Sequence, residues 1–175
     1  MRVIAGDLRS RRLKSIPGLD VRPTPDRLRE ALFNVLSAKI AGSVFLDAYA
    51  GTGAVGIEAL SRGAARAIFI EKNRIAVSVI RENLASLQLT GRSQVISGSA
   101  ERMLPKYPAD ICFLDPPYQL DAEYSSALGA LGADPPRLVI AQHASRFTLH
   151  SQYGTLVRYR VLRHGDNSLS FFAPE

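Results

Sequence analysis

The chain has 175 residues, of which 46% are hydrophobic and 22% charged, with one cysteine and a net charge of +6. That length and balance fit a single globular domain with a full core and exclude a low-complexity chain. A lone cysteine excludes an internal disulfide, and no apolar run approaches the ~18 residues of a membrane helix or forms a signal-peptide core, so a soluble cytoplasmic protein is expected.

The charge is unevenly placed. Residues 1–30 carry Arg2, Arg9, Arg11, Arg12, Lys14, Arg22, Arg27 and Arg29 against Asp7, Asp20, Asp26 and Glu30, which puts +4 of the +6 in the first sixth of the chain. Residues 1–23 read as a small hairpin-like extension, with Val3-Ile4 apolar, a basic turn from Gly6 to Arg12, and a second arm broken at Pro17-Gly18. The extension holds little apolar mass, so it is expected to bind phosphates through Arg2, Arg9, Arg11, Arg12, Lys14 and Arg22, joined by Arg27 just beyond it, and to contribute nothing to the core that holds the fold. The competing readings are a solvated basic surface, or a strand pair formed by Val3, Ile4 and Leu13 that seals the domain. The remainder, 24–175, forms the main domain.

Thr24-Pro25 opens a helix, with Thr24 as N-cap and Pro25 as first helical residue, and Leu28, Ala31, Leu32, Val35 and Leu36 follow at helical spacing. Strand and helix signals then alternate. Strands fall at Val44-Phe45-Leu46, 67–70, 94–97, 111–114 and 138–141. Helices run from about Val55 to Arg62, ended by Gly63, and from an Asn73 cap to about Gln88. Leu156 to Leu162 and Leu169 to Phe172, joined through His164-Gly165-Asp166-Asn167, read as an antiparallel hairpin. Such a pattern implies right-handed crossovers and a doubly wound α/β sheet, seven-stranded and mostly parallel.

Asp47-Ala-Tyr-Ala-Gly51-Thr-Gly53-Ala-Val-Gly56 joins the first strand to its helix, with Glu71 lying 20 residues after Gly51. The glycine spacing alone also fits a dinucleotide site. Asp47 argues against that, because a carboxylate at the strand end repels a pyrophosphate and suits a cationic ligand. S-adenosylmethionine carries a sulfonium and no phosphate. On this reading Gly51 and Gly53 let the backbone approach it, Glu71 accepts its ribose hydroxyls, and Ser99-Ala100, after the third strand, lie where an acid often holds adenine. Glu71 could instead be a solvated acid paired with Lys72 or Arg74.

Asp115-Pro116-Pro117-Tyr118 closes the fourth strand. A planar exocyclic amine is a poor nucleophile, since its lone pair is delocalised into the ring. Asp115 and the Pro116 carbonyl, accepting from its N–H groups, would return that lone pair, while Tyr118 stacks on the base. The plain alternative is a strand-to-loop turn. His143, His150 and His164 lack ligand spacing, so no metal is expected and they are assigned ordinary surface or edge roles.

With those motifs in place the chain resembles the bacterial 16S rRNA guanine-N2-methyltransferases. The resemblance rests on Arg2 to Gly6, Arg11-Arg12-Leu13, Arg22 to Glu30, Leu46 to Ala64, Phe69 to Lys72, Asp115 to Tyr118 and His164 to Phe171, and Ser99 departs from the acid expected there. It implies a Rossmann-like class I methyltransferase fold and S-adenosylmethionine-dependent methylation of one guanine in 16S rRNA, naked or on an assembling small subunit, by a monomer without metal or membrane. Another amino-methyl acceptor, such as DNA adenine N6, and a non-catalytic RNA-binding assembly factor are the rival readings.

Overall fold

The structure, a computed structural model, describes residues 1–16, 25–117 and 121–175. Strands β1 (Val44–Asp47), β2 (Arg66–Glu71), β3 (Ser93–Ser97), β4 (Ile111–Leu114) and β5 (Leu138–Ala144) run parallel in the order 3-2-1-4-5. β4 is buried along its whole length, as a strand covered on both faces must be. β8 (Asn167–Pro174) lies antiparallel on β5, followed outward by β7 (Leu156–His164) and β6 (Gln152–Tyr153). Among the described residues the sheet therefore has eight strands, where seven were expected. The extra one, β6, is two residues long, too short for any periodic pattern, and folds back on β7 through Gly154-Thr155.

A bulge between Arg158 and Arg160 interrupts β7 and leaves Tyr159 52% exposed, while β6 pairs only with Leu156 and Val157. The outer side of β7 beyond that short pairing carries no further strand among the described residues.

Helices α1 (Asp26–Leu36), α2 (Ala54–Ser61) and α3 (Arg74–Ser86) cover one face of the sheet around Phe45, Phe69, Phe113, Ile140 and Phe171. Helices α4 (Ala100–Met103) and α5 (Asp121–Ala133) cover the other, around Leu46, Ile68, Cys112, Val139 and Phe172. Cys112 is an inert buried thiol, its pKa pushed up to about 12 by burial. Asn73 caps α3 as anticipated, its side chain accepting from Ile75 N at 2.9 Å and Ala76 N at 3.1 Å. At α1 the expectation shifts by one residue. Pro25 keeps an extended ψ of 141° and occupies the cap position, so Asp26 begins the helix. Thr24, the expected cap, lies outside the described residues.

Residues 1–16 of the N-terminal extension form a hairpin, with an antiparallel bridge between Arg2 and Arg12 and Val3 N donating to Arg11 O at 2.9 Å, while the expected break at Pro17-Gly18 lies outside the described residues. The expectation that it contributes nothing to the core is overturned. Val3 (1% exposed) and Leu13 (5%) pack with Ile57, Leu60 and Leu84, and Ile16 with Ala76 and Val79. Three apolar side chains of the hairpin thus pack on apolar residues of α2 and α3.

Polar contacts rivet the same segment to α2. The buried Glu58 carboxylate accepts from Ile4 N at 2.8 Å, Ala5 N at 3.0 Å and Arg62 Nε at 2.8 Å. Ser61 Oγ donates to Ala5 O at 2.6 Å and accepts from Leu8 N at 3.0 Å. Gly6 makes this closeness possible, since it sits at φ +80° and a Cβ there would lie 1.9 Å from the Ser61 carbonyl oxygen. Gly6→Ala is expected to cost about 1–3 kcal/mol, visible as a lower midpoint in thermal denaturation followed by circular dichroism. An unchanged midpoint would show that the hairpin is not seated on α2.

Candidate active site

The strand order reverses between β1 and β4, the place where open α/β sheets bind ligands beyond the carboxyl ends of their strands. Asp47 ends β1, Glu71 ends β2, Ser99-Ala100 follow β3, and Asp115-Pro116 follow β4. The residues expected to hold a cofactor and the carboxylate expected to address a nucleophile therefore share one end of the sheet. Tyr118, the expected stacking ring, lies outside the described residues.

Backbone bonds fix the β1–α2 loop. Ala48 N donates to Phe113 O at 3.0 Å, Ala50 N to Ile70 O at 3.0 Å, and Gly53 N to Ala50 O at 2.7 Å. Gly56 lets α2 lie against β2, because a Cβ there would fall 2.3 Å from the Phe69 ring. Gly53 is the N-cap of α2, at φ +81°.

Asp47 is 1% exposed and accepts from Gly56 N at 3.1 Å. Burial pushes its pKa up to about 7 against the pull of that bond, and the charges of Asp115 and Glu71 push in the same direction. Three carboxylates thus converge on one end of the sheet, an arrangement that repels a phosphate and favours a cation.

Glu71, at the carboxyl end of β2, holds the loop. One oxygen accepts from Gly51 N at 2.9 Å and the other from Asn73 N at 2.8 Å. Each carboxylate oxygen keeps a second acceptor site, so these bonds leave room for hydroxyl donors. Ser99 is half-buried at the N-cap of α4, with no side-chain capping bond, and its backbone carbonyl accepts from Arg102 N and Met103 N, each at 3.2 Å.

The expected phosphate-binding residues separate by environment. Arg2, Arg9, Arg11, Arg12 and Lys14 are exposed on the hairpin, and Arg27 is exposed on the first turn of α1. Lys14 pairs with Glu82 at 2.6 Å, an exposed pair worth little. Arg22 lies outside the described residues. Arg29, counted above among the basic residues of positions 1–30, is not a surface charge. It is fully buried, donates to Arg2 O at 2.6 Å and to Asp26 Oδ1 at 3.0 Å, and burial lowers its pKa. His143 departs from the surface role expected of it. It is buried, its Nε2 bonded to Ser170 Oγ at 2.9 Å, and it ties β5 to β8.

The model of one protein family, described as conserved hypothetical protein 95, matches residues 1–173 of this sequence. The chain belongs to that family. Among its relatives, "Putative rRNA methyltransferase YlbH" of Bacillus subtilis is 33% identical over 98% of both chains. "Ribosomal RNA small subunit methyltransferase D" of Escherichia coli is 41% identical over 121 residues, which is 68% of this chain and 61% of that enzyme. The solved structure titled "Putative methyltransferase yhhF from Escherichia coli" superposes with a TM-score of 0.87 at 30% identity, covering 100% of this chain and 98% of the other. These findings bear out the Rossmann-like methyltransferase fold and the resemblance to small-subunit rRNA methyltransferases.

Sequence reasoning missed Glu58, Ser61 and Asn83, which anchor the hairpin. Glu58 left a signal, as the lone ionisable residue in the otherwise apolar or small helix Ala54–Ser61.

Proposed function

We propose that this protein transfers a methyl group from S-adenosylmethionine to the exocyclic N2 amine of a guanine in small-subunit ribosomal RNA. The observation that carries the reading is the convergence of buried Asp47 with Glu71 and Asp115 at the reversal of strand order. A site with that charge suits a sulfonium and an ammonium. The relatives named as rRNA methyltransferases supply the substrate class.

When bound, S-adenosylmethionine supplies an electrophilic methyl group. The chain's own groups do the rest. Asp47, at the end of β1, offers charge to the cationic end of the ligand, and Glu71 accepts from ribose hydroxyls. Asp115 and the Pro116 carbonyl accept from the guanine amine and hold its lone pair in line with the methyl carbon. Tyr118 stacks on the base, which is unpaired or extruded from its helix. The exposed cations of the hairpin hold RNA phosphates, and residues 1–23 act as the RNA-binding extension of a methyltransferase domain over 24–175. Small ribosomal subunits lacking the modification, incubated with the protein and S-adenosylmethionine, should gain one methyl group on a guanine N2. Methylation mapped to an adenine, or found on DNA alone, would discard this assignment.

Cofactor affinity should depend on pH. Folded Asp47 holds its proton up to about pH 7, whereas an ordinary carboxyl releases it near 3.8. Over that interval the folded chain binds more protons than the unfolded one. Asp47 therefore lends stability at the acid end, and that stability is lost as pH rises through about 7. A cationic ligand needs the ionised form, so calorimetric affinity for S-adenosylmethionine should rise between pH 6 and 8. A flat profile would mean that Asp47 does not face the ligand's charge.

Glu71→Ala should weaken S-adenosylmethionine binding by ~1–3 kcal/mol, because hydroxyls lose a charged acceptor and Gly51 N loses its partner. NADH should give no signal in a fluorescence titration of the wild type. Tight NADH binding would overturn the methyltransferase reading.

A further inference from the structure

One side chain of α3 bonds both the basic hairpin and the glycine loop, which also meet directly where Thr52 Oγ1 donates to Met1 Sδ at 3.7 Å. Asn83, on α3, is 1% exposed. Its Oδ1 accepts from Lys14 N at 2.7 Å, and its Nδ2 donates to Lys14 O at 3.2 Å and to Thr52 O at 3.1 Å. Lys14 belongs to the second arm of the hairpin, next to Leu13 in the core, and Thr52 lies between the two glycines of the cofactor loop. A single amide thus satisfies the backbone of both segments, with both of its N–H groups and its oxygen engaged.

The neighbouring contacts repeat the pattern. The hairpin is held by Glu58 and Ser61 of α2, the helix whose N-cap is Gly53, and Gly51 N donates to Glu71. A shift of the hairpin at Lys14 would strip Asn83 of two bonds and free it to turn from Thr52. A shift of the loop at Thr52 would leave a buried N–H unpaired, a costly state that pulls the loop back.

Resting on the function proposed above, we propose that Asn83 is a positioning residue that couples the two ligands. RNA phosphates held by the hairpin fix Lys14, Lys14 fixes Asn83, and Asn83 sets the Thr52 carbonyl and the loop that grips the cofactor. Linkage makes the effect reciprocal, so bound cofactor firms the hairpin for RNA. The outcome is an enzyme that holds its methyl donor best when substrate is present.

The test uses S-adenosylhomocysteine, which cannot react, and small ribosomal subunits lacking the modification. Wild-type affinity for S-adenosylhomocysteine should rise about tenfold when subunits are added, within the usual range of coupling between sites. In Asn83→Ala the ratio of affinities with and without subunits should fall to near one. A purely structural role would weaken binding in both conditions and leave the ratio as in the wild type, and that result overturns the proposal. So does a wild-type ratio of one.

A second measurement needs no variant. Saturating S-adenosylhomocysteine should slow hydrogen exchange of the Lys14 amide in the wild-type protein, although that amide donates to Asn83 and not to the proposed ligand. An unchanged exchange rate overturns the coupling. If wild type methylates its substrate yet shows no coupling, only this inference falls. If it binds no S-adenosylhomocysteine at all, the proposed function falls with it.

Discussion

Asp115→Ala is expected to lose nearly all turnover while keeping its methyl donor. Removing one preorganised polar contact to the reacting group costs about 3 kcal/mol in the transition state, roughly a hundredfold or more in rate. Cofactor affinity should stay at the wild-type value or improve. The Asp115 charge is one of those that hold the Asp47 pKa high, so its removal lets Asp47 ionise more readily. Calorimetry and single-turnover methylation separate the two effects. A variant unable to bind S-adenosylmethionine, or one that turns over within a few-fold of wild type, would show that the carboxylates do not divide their labour in this way.

Deleting residues 1–16 is expected to leave the chain unfolded. The deletion removes Val3, Leu13 and Ile16 from the core, each worth about 1.5–3 kcal/mol of burial. It also strips the buried Glu58 of two backbone donors and Asn83 of both bonds to Lys14. Breaking one side of a buried charged network costs about 3–5 kcal/mol by itself, against a total stability of about 5–15 kcal/mol for a domain. Circular dichroism of the truncated chain should show no cooperative melt. A truncated protein that melts like the wild type would mean that the hairpin merely rests on α2. The RNA role is isolated by a gentler change. Arg9, Arg11 and Arg12 are exposed, so replacing all three by Ala should preserve the melt and flatten the salt dependence of RNA binding by up to ~3 released counterions.

The parallel core was legible in the sequence because its signals are local. β4 is a continuous apolar run, Asn73 stands one residue before its helix, and Gly63 follows α2 at φ +99°. Asp47, Glu71 and Asp115 were legible for the same reason, since a charged residue ending an apolar strand is conspicuous. The hairpin was misjudged because its contribution to the core comes from partners more than fifty positions away. Ile4 reaches Glu58 and Lys14 reaches Asn83, and no periodicity within residues 1–16 encodes such contacts. Arg29 was counted with the basic residues of the first sixth of the chain, and its burial was not legible for a related reason. Its place on α1 is set by the same helical spacing that buries Leu32 and Leu36, and the Arg2 carbonyl and the Asp26 carboxylate show why a cation is tolerated there. β6 escaped because two residues carry no pattern.

The interrupted β7 bears on how copies of this chain behave when crowded. A sheet margin with free N–H and C=O groups invites another strand to add, which is the first step toward dimers and fibrils. Here the bulge at Tyr159 breaks the straight row of groups that an incoming strand would follow. Arg158, Arg160 and Arg163 add like charge, so two copies approaching margin to margin would set cation against cation. The 52% exposure of Tyr159 and the 42% exposure of Val161 would otherwise make this stretch adhesive. The irregular, cationic outer side of β7 disfavours the addition of a further strand there.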